Sequence, residues 1–396
     1  MPGHESSRGG GAAGGASSQL KWALAGALLG RAATKYDNRL SLRTNLVSWV
    51  VNLLELIPNR VVESEEEANK MVAWGRNNWR FAETLARTLG FQPVGAVSWT
   101  TCTARDGAVM RCLMVRPTVD APRGAKLPVV LFVHGGGFTF GTLGVYEDFA
   151  RKICAGTGAV VVAVDYRLAP EHKFPGPVHD VQDAALWLYG NPKEVLEFGG
   201  DPQGKGLAVC GDSAGGNLST VVAVTLKDRV PFRLQGLIYP TTTFVTDLPA
   251  WSTMGQYTEN GAVLSCTGMA LARSAYLRDM ALDPFNPLAS PILFKDEQLR
   301  GAAPTFMITA SADPLCTEGL AYKKRLASVG VPVEHVHYER EVHGFMSLDL
   351  FEHHHEGFQA LNQALRGALF TDSRSGKTNS RPPAPLALST GVAARM

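Results

Sequence analysis

The sequence predicts an α/β fold in which a mostly parallel central sheet is covered by helices. Three observations predict it. From Val97 onward, short apolar runs alternate with stretches of helical spacing. Most of these runs are apolar at consecutive positions, as expected of strands buried on both faces of a parallel sheet. A glycine-flanked serine, Gly211-Asp212-Ser213-Ala214-Gly215, also stands where one such run ends and a helical stretch begins.

In chain order, residues 1–18 are mostly Gly, Ser and Ala and cannot bury enough surface to offset their ordering entropy, so a disordered tail is expected. Region 19–95 contains two apolar runs, 20–30 and 46–57. Both are shorter than the roughly 18 to 20 residues needed to cross a bilayer, so no transmembrane span is predicted. Residues 6–36 have four basic residues and no acid, a weak likeness to an organellar transit peptide. The preferred reading is two amphipathic helices packed on the body. Trp49, Val50, Leu53, Leu54 and Ile57 recur at helical spacing there, and they could line a substrate entrance or touch a membrane surface peripherally. Runs 97–103 and 109–115 flank Asp106-Gly107, a hairpin signal. Further strands are read at 129–133, 159–164, 207–210, 234–239, 305–309 and 333–338. Helices are read at 178–189, 215–227, 318–329 and 356–369. The stretch 241–303 is long for a connection and predicts an insertion with its own helices. Pro382, Pro383 and Pro385 block a helix in 372–396, so a second disordered tail is expected.

Hydrophobic residues make up 45% of the 396 and charged residues 19%, which excludes a wholly disordered chain or a highly charged scaffold. The net charge of +2 gives no argument for a nucleic-acid partner. The basic excess sits in the tail, where Arg374, Lys377, Arg381 and Arg395 face only Asp372. Cysteines at 102, 112, 154, 210, 266 and 316 form no CxxC pair and have no zinc spacing. They read as free thiols in a reducing compartment.

The chemistry begins at Ser213. Its G-x-S-x-G setting between strand and helix is that of a nucleophile elbow, in which small neighbours permit a tight, strained turn. His134-Gly135-Gly136-Gly137 directly follows the run 129–133. Its glycines let backbone amides approach a developing oxyanion, and it lacks the Lys and Ser/Thr of a phosphate loop. The expected donors are the amides of Gly136, Gly137 and Ala214, with Gly135 shaping the turn. A serine hydroxyl needs a base, and the base needs an orienting acid. With an elbow serine these follow in the order acid, then histidine. Asp313 lies just beyond 305–309, and His343 just beyond the run ending near Tyr338. Among rival histidines, His335 and His337 alternate within a strand and read as structural. The adjacent His353, His354 and His355 would splay around a helix, facing solvent or a groove rather than one metal. His172 and His179 precede the serine. Asp212 should point away from the hydroxyl and support the turn.

These residues bring the chain into a known pattern. HGGGF at 134–138, DYRLAPEHKFP at 165–175, GDSAGGN at 211–217, DPL at 313–315 and HGF at 343–345 make it resemble the hormone-sensitive-lipase-like branch of the α/β-hydrolases. That branch includes arylacetamide-deacetylase-like and bacterial carboxylesterases. The resemblance spans about 128–369 and implies an α/β-hydrolase fold with a helical cap. It implies nucleophile Ser213, acid Asp313, base His343 and the oxyanion element of Gly135, Gly136, Gly137 and Ala214. It also implies a structural turn at 166–175 beneath the pocket. One departure is Cys316-Thr317 before Glu318-Gly319, where the family often has a charged stretch.

The expected organisation is a helical region at 19–95 contributing to the cap, and a hydrolase domain at 96–371 with a cap insertion at about 241–285. Phe244, Leu248, Trp251 and Met254 suggest a hydrophobic acyl or aryl pocket. The expected activity is serine hydrolysis of short- to medium-chain carboxylic esters through an acyl-enzyme. The partner is then a small-molecule ester, with neither metal nor organic cofactor required. Two alternatives are weighed. The same triad could serve an amidase or deacetylase. A non-catalytic receptor on this scaffold, as in the plant gibberellin receptors, would have lost the histidine that is present here at 343. A cytoplasmic location is expected, with a peroxisomal alternative from Ala394-Arg395-Met396 at the C-terminus.

Overall fold

The computed structural model describes residues 40–53, 64–118, 125–245 and 263–371. Both terminal tails, the run 20–30 and the C-terminal tripeptide lie outside the described residues, as do Leu54, Ile57, Leu248, Trp251 and Met254. So do the side chains of Trp49, Val50 and Leu53.

Eight strands form one sheet: β1 (Ala96–Thr103), β2 (Val109–Arg116), β3 (Val129–Val133), β4 (Val160–Val164), β5 (Leu207–Asp212), β6 (Gln235–Ile238), β7 (Thr305–Ala312) and β8 (Val333–Val342). Their order is β1-β2-β4-β3-β5-β6-β7-β8. β1 pairs antiparallel with β2 and β2 with β4, while every later pair is parallel. The β1–β2 hairpin forms where Asp106-Gly107 predicts it. Its loop runs over 104–108 rather than two residues, closed by Gly107 N–H to Ala104 O at 2.9 Å.

The uninterrupted apolar runs are explained by burial on both faces. Val129, Leu131 and Val133 of β3 enter one core, and Val130 and Phe132 the other. β4 divides in the same way, Val160, Val162 and Val164 against Val161 and Ala163. The first core is closed by α4 (Gly176–Tyr189), α6 (Ala214–Thr225) and α8 (Cys316–Ser328), and the second by α3 (Leu143–Thr157) and α9 (His354–Phe370). Each fully buried Val, Leu or Phe contributes roughly 1.5 to 3 kcal/mol relative to exposure. Two valine-rich strands thus anchor the middle of the sheet.

Before the sheet come α1 (Leu42–Leu53) and α2 (Glu65–Leu89). The 25-residue α2 starts where Ser64 accepts from the Glu67 amide and ends at Gly90. Between β4 and β5 the short α5 (Lys193–Phe198) follows α4, and α7 (Cys266–Tyr276) occupies the long stretch before β7. α7 meets α2 through a small cluster of Ala68, Val72, Phe140, Leu271 and Ala275. No described helix is long and apolar enough to cross a membrane.

Candidate active site

Ser213 stands at the tip of β5, immediately before α6, with φ 54° and ψ −117°. This conformation is costly for a non-glycine residue and persists only where its surroundings enforce it. They do so on every side. The Ser213 amide donates to Ile238 O at 2.8 Å, and its carbonyl accepts from Asn217 N–H and Thr241 N–H. A Cβ on Gly215 would lie 2.0 Å from Val133 O, and one on Gly211 would lie 2.4 Å from Gly215 O. The glycines of the motif are therefore demanded by the close approach of α6 to β3.

The pairing of β7 with β8 brings acid and base together. Ala312 is paired with Val342, so the next residues, Asp313 and His343, leave the sheet side by side. His343 Nδ1 lies 2.8 Å from Asp313 Oδ2, and its Nε2 lies 2.9 Å from Ser213 Oγ. Asp313 is fully buried, and its other oxygen accepts from Leu315 N–H at 2.8 Å. Ser213 and His343 are buried, retaining 9% and 6% exposure. The three predicted side chains thus form one continuous hydrogen-bonded chain.

The glycine element lies beside it. Gly136 has φ 108° and Gly137 has φ 61°. The Gly136 carbonyl accepts from Thr139 N–H and Phe140 N–H, folding 136–140 into a turn. Neither the Gly136 nor the Gly137 amide is used within that turn. Ala214 opens α6, where first-turn amides have no intrahelical acceptor. Gly135 differs from the two glycines after it, in line with the turn-shaping part the sequence reading gives it. Its amide donates to Asp212 Oδ1 at 2.8 Å, so it shapes the loop and offers no proton to a substrate. Asp212 points away from the serine hydroxyl, as the sequence reading expects, and its Oδ2 accepts from Tyr146 O–H at 3.1 Å. Burial pushes the Asp212 carboxyl up to about 6 against the pull of these two donors.

The segment 165–175 supports the loop from below. Tyr166 O–H donates to His134 O at 2.9 Å, and the two rings stack at 4.4 Å. Arg167 forks onto the buried Asp180. Phe138 stacks on Tyr276 of α7 at 3.9 Å, and Phe244 packs against both. Phe244 is buried in this aromatic cluster, so it serves as packing for the wall. A Cβ on Gly137 would sit 3.1 Å from Ala272 Cβ, so α7 overhangs the glycine turn.

The other histidines sort as follows. His335 and His337 both bond Thr309 Oγ1 at 2.8 Å and are structural. His354 is a correction. It is buried, held by Asp349 and Lys152, because α9 turns this position onto α3 rather than toward solvent. His353 bonds the buried Glu341. Among the described residues no group of His, Cys, Asp and Glu could hold a metal ion. Asn217, Glu318, Tyr146 and Arg76 support the site without having been assigned a role from sequence. Asn217 donates to Thr241 O and Ala289 O. Glu318 accepts from the Thr242 amide, and burial pushes its carboxyl up to about 8. Only Asn217 and Glu318 carried a signal, being embedded in the GDSAGGN and DPL-to-Gly319 stretches.

Known proteins are similar to this chain in sequence and fold. Residues 130–347 match the family described as having the alpha/beta hydrolase fold. The carboxylic ester hydrolase LipN of Mycobacterium tuberculosis is 37% identical over 57% of this chain and 59% of its own length, so the chain spans less than two thirds of that relative. The ethyl acetate hydrolase of Pseudomonas putida is 33% identical over 68% of this chain and 82% of its own. The solved structure of a hyperthermophilic esterase from the archaeon Pyrobaculum calidifontis superposes with a TM-score of 0.72 at 31% identity, covering 83% of this chain and 98% of that one. With the matched residues running from within β3 to just beyond His343, the chain belongs to the α/β-hydrolase-fold family.

Proposed function

We propose that this protein is a serine hydrolase that cleaves carboxylic esters through an acyl-enzyme. The observation that carries the reading is one imidazole bridging the Ser213 hydroxyl and the buried Asp313 carboxylate at 2.9 and 2.8 Å. The names of its relatives, carboxylic ester hydrolase and ethyl acetate hydrolase, support the ester as substrate class.

The geometry divides the work as follows. His343 donates its Nδ1 proton to Asp313, which leaves the Nε2 lone pair facing Ser213. As Ser213 Oγ bonds to the ester carbonyl carbon, its proton passes to Nε2 and the carbonyl π electrons move to oxygen. The imidazolium is stabilised by Asp313. The Gly136, Gly137 and Ala214 amides receive the oxyanion, each such donor being worth about 100- to 1000-fold in turnover. His343 then returns the proton to the leaving alkoxide. Water, deprotonated by the same nitrogen, releases the acid and restores the serine. Short to medium acyl or aryl esters are the substrates this reading expects.

Ser213→Ala is expected to abolish release of p-nitrophenol from p-nitrophenyl butyrate, and labelling by a fluorophosphonate probe with it. A variant that keeps wild-type turnover would overturn the reading.

A further inference from the structure

Besides its contacts with α7 and α3, α2 turns one side toward the exit of the glycine turn. Val72, Arg76, Trp79 and Glu83 recur at steps of four, three and four, so they share one side of the helix. Val72 clusters with Phe140, and Trp79 stacks on Phe140 at 6.2 Å and 10°. Glu83 accepts from Thr142 Oγ1 at 3.2 Å. Arg76 reaches furthest in. Its Nε donates to Thr139 O at 2.9 Å and its Nη2 to Ala169 O at 2.6 Å, and the outer edge of the guanidinium pairs with Glu171.

These two carbonyls hold the turn from both sides. Thr139 N–H closes the turn onto Gly136 O, and Ala169 N–H donates to Phe138 O at 2.9 Å. The Glu171 side chain is 59% exposed, and an ion pair with such a partner is worth little. Charge-assisted bonds to inward-facing peptide oxygens are the stronger contacts of this side chain.

We propose that Arg76 is a positioning residue for the oxyanion donors. It fixes the peptide of Thr139 and, through Ala169, that of Phe138, so that the Gly136 and Gly137 amides stay aimed beside Ser213. The inference rests on the ester-hydrolase reading for its kinetic readout. The long helix α2 thereby contributes to transition-state binding without touching substrate.

The test uses the full chain, p-nitrophenyl butyrate and an alkyl boronic acid, which forms a tetrahedral adduct on the serine. Misplacing reacting groups by about 1 Å can cost about 100-fold, so Arg76→Ala is expected to lower kcat by roughly 10- to 100-fold with KM changed less than about threefold. Boronic acid affinity should fall by a similar factor. Arg76→Lys, which keeps the charge but loses the planar fork that spans the two carbonyls, should recover only part of the loss, and added guanidinium should restore part of kcat to Arg76→Ala. Glu171→Gln, which removes only the outer pair, should match the wild type. Wild-type kcat and boronic acid affinity in Arg76→Ala would overturn the proposal, as would an equal loss in Glu171→Gln. Should the alanine variant fail to fold, Arg76→Lys and Arg76→Gln carry the same readouts. A wild type that turns over no ester defeats the functional reading alone, because boronic acid affinity still reports whether Arg76 aims the donors.

Discussion

Two buried carboxylates with different environments show what single residues contribute. Asp313 is fully buried, with one oxygen on the His343 ring and the other on a backbone amide. Asp313→Asn keeps the shape but favours the wrong imidazole tautomer. It is expected to cut kcat by roughly 10,000-fold while leaving the melting temperature close to wild type. Kinetics and a thermal melt on the same preparation check both parts. Glu318 makes the opposite prediction. Burial lifts its carboxyl from an ordinary 4.5 to about 8. Between those values the folded state binds more protons than the unfolded chain, so folding stability falls as pH rises through that window. The slope is up to about 1.4 kcal/mol per pH unit. Glu318→Gln has no proton to release there. Urea melts at about pH 5 and about pH 8 should therefore show the variant gaining on the wild type at the higher pH. A gap that does not change with pH would place the Glu318 carboxyl back in its ordinary range.

Among the elements, the β5–α6 elbow is the most tightly specified. With Val133 O only 2.0 Å from a would-be Cβ, Gly215→Ala must push α6 off β3. Overpacking of this kind costs roughly 1 to 3 kcal/mol. Ser213 rides on the same turn, so kcat should fall together with the melting temperature. A stable, fully active Gly215→Ala protein would show that the elbow has slack the structure denies. This element was readable from sequence because its chemistry and its sterics both demand glycine. The strands were readable to within a few residues because their apolar runs are buried on both faces. β7 and β8 extend past the ends expected for them, to Ala312 and Val342: beyond the Ala310–Tyr338 pair the register shifts across polar or small residues, and pairing resumes at Ala312–Val342. α3 was not among the helices expected. The signal that finds it is the spacing of Leu143, Tyr146, Ala150, Ile153 and Thr157, all buried on one side. Arg76 could not be read as part of the site, because nothing local to α2 reveals which carbonyls its guanidinium reaches.

For the molecule as a whole, the proposed reading takes nucleophile, base, acid and oxyanion donors all from this chain's own groups. Treatment with EDTA is therefore expected to leave ester turnover unchanged, and a loss restored by added divalent cation would call for a different mechanism. Six free cysteines, five of them buried, place no crosslink between the strands that carry these groups. The three reacting side chains instead leave the ends of β5, β7 and β8, and β8 closes the far edge of the sheet. No partial assembly lacking that last strand can bring the imidazole to the alcohol. Enzymatic rate is thus a clock for the final docking event: during renaturation from urea, recovered turnover should trail the return of helical circular dichroism whenever the C-terminal edge is the last to zip closed.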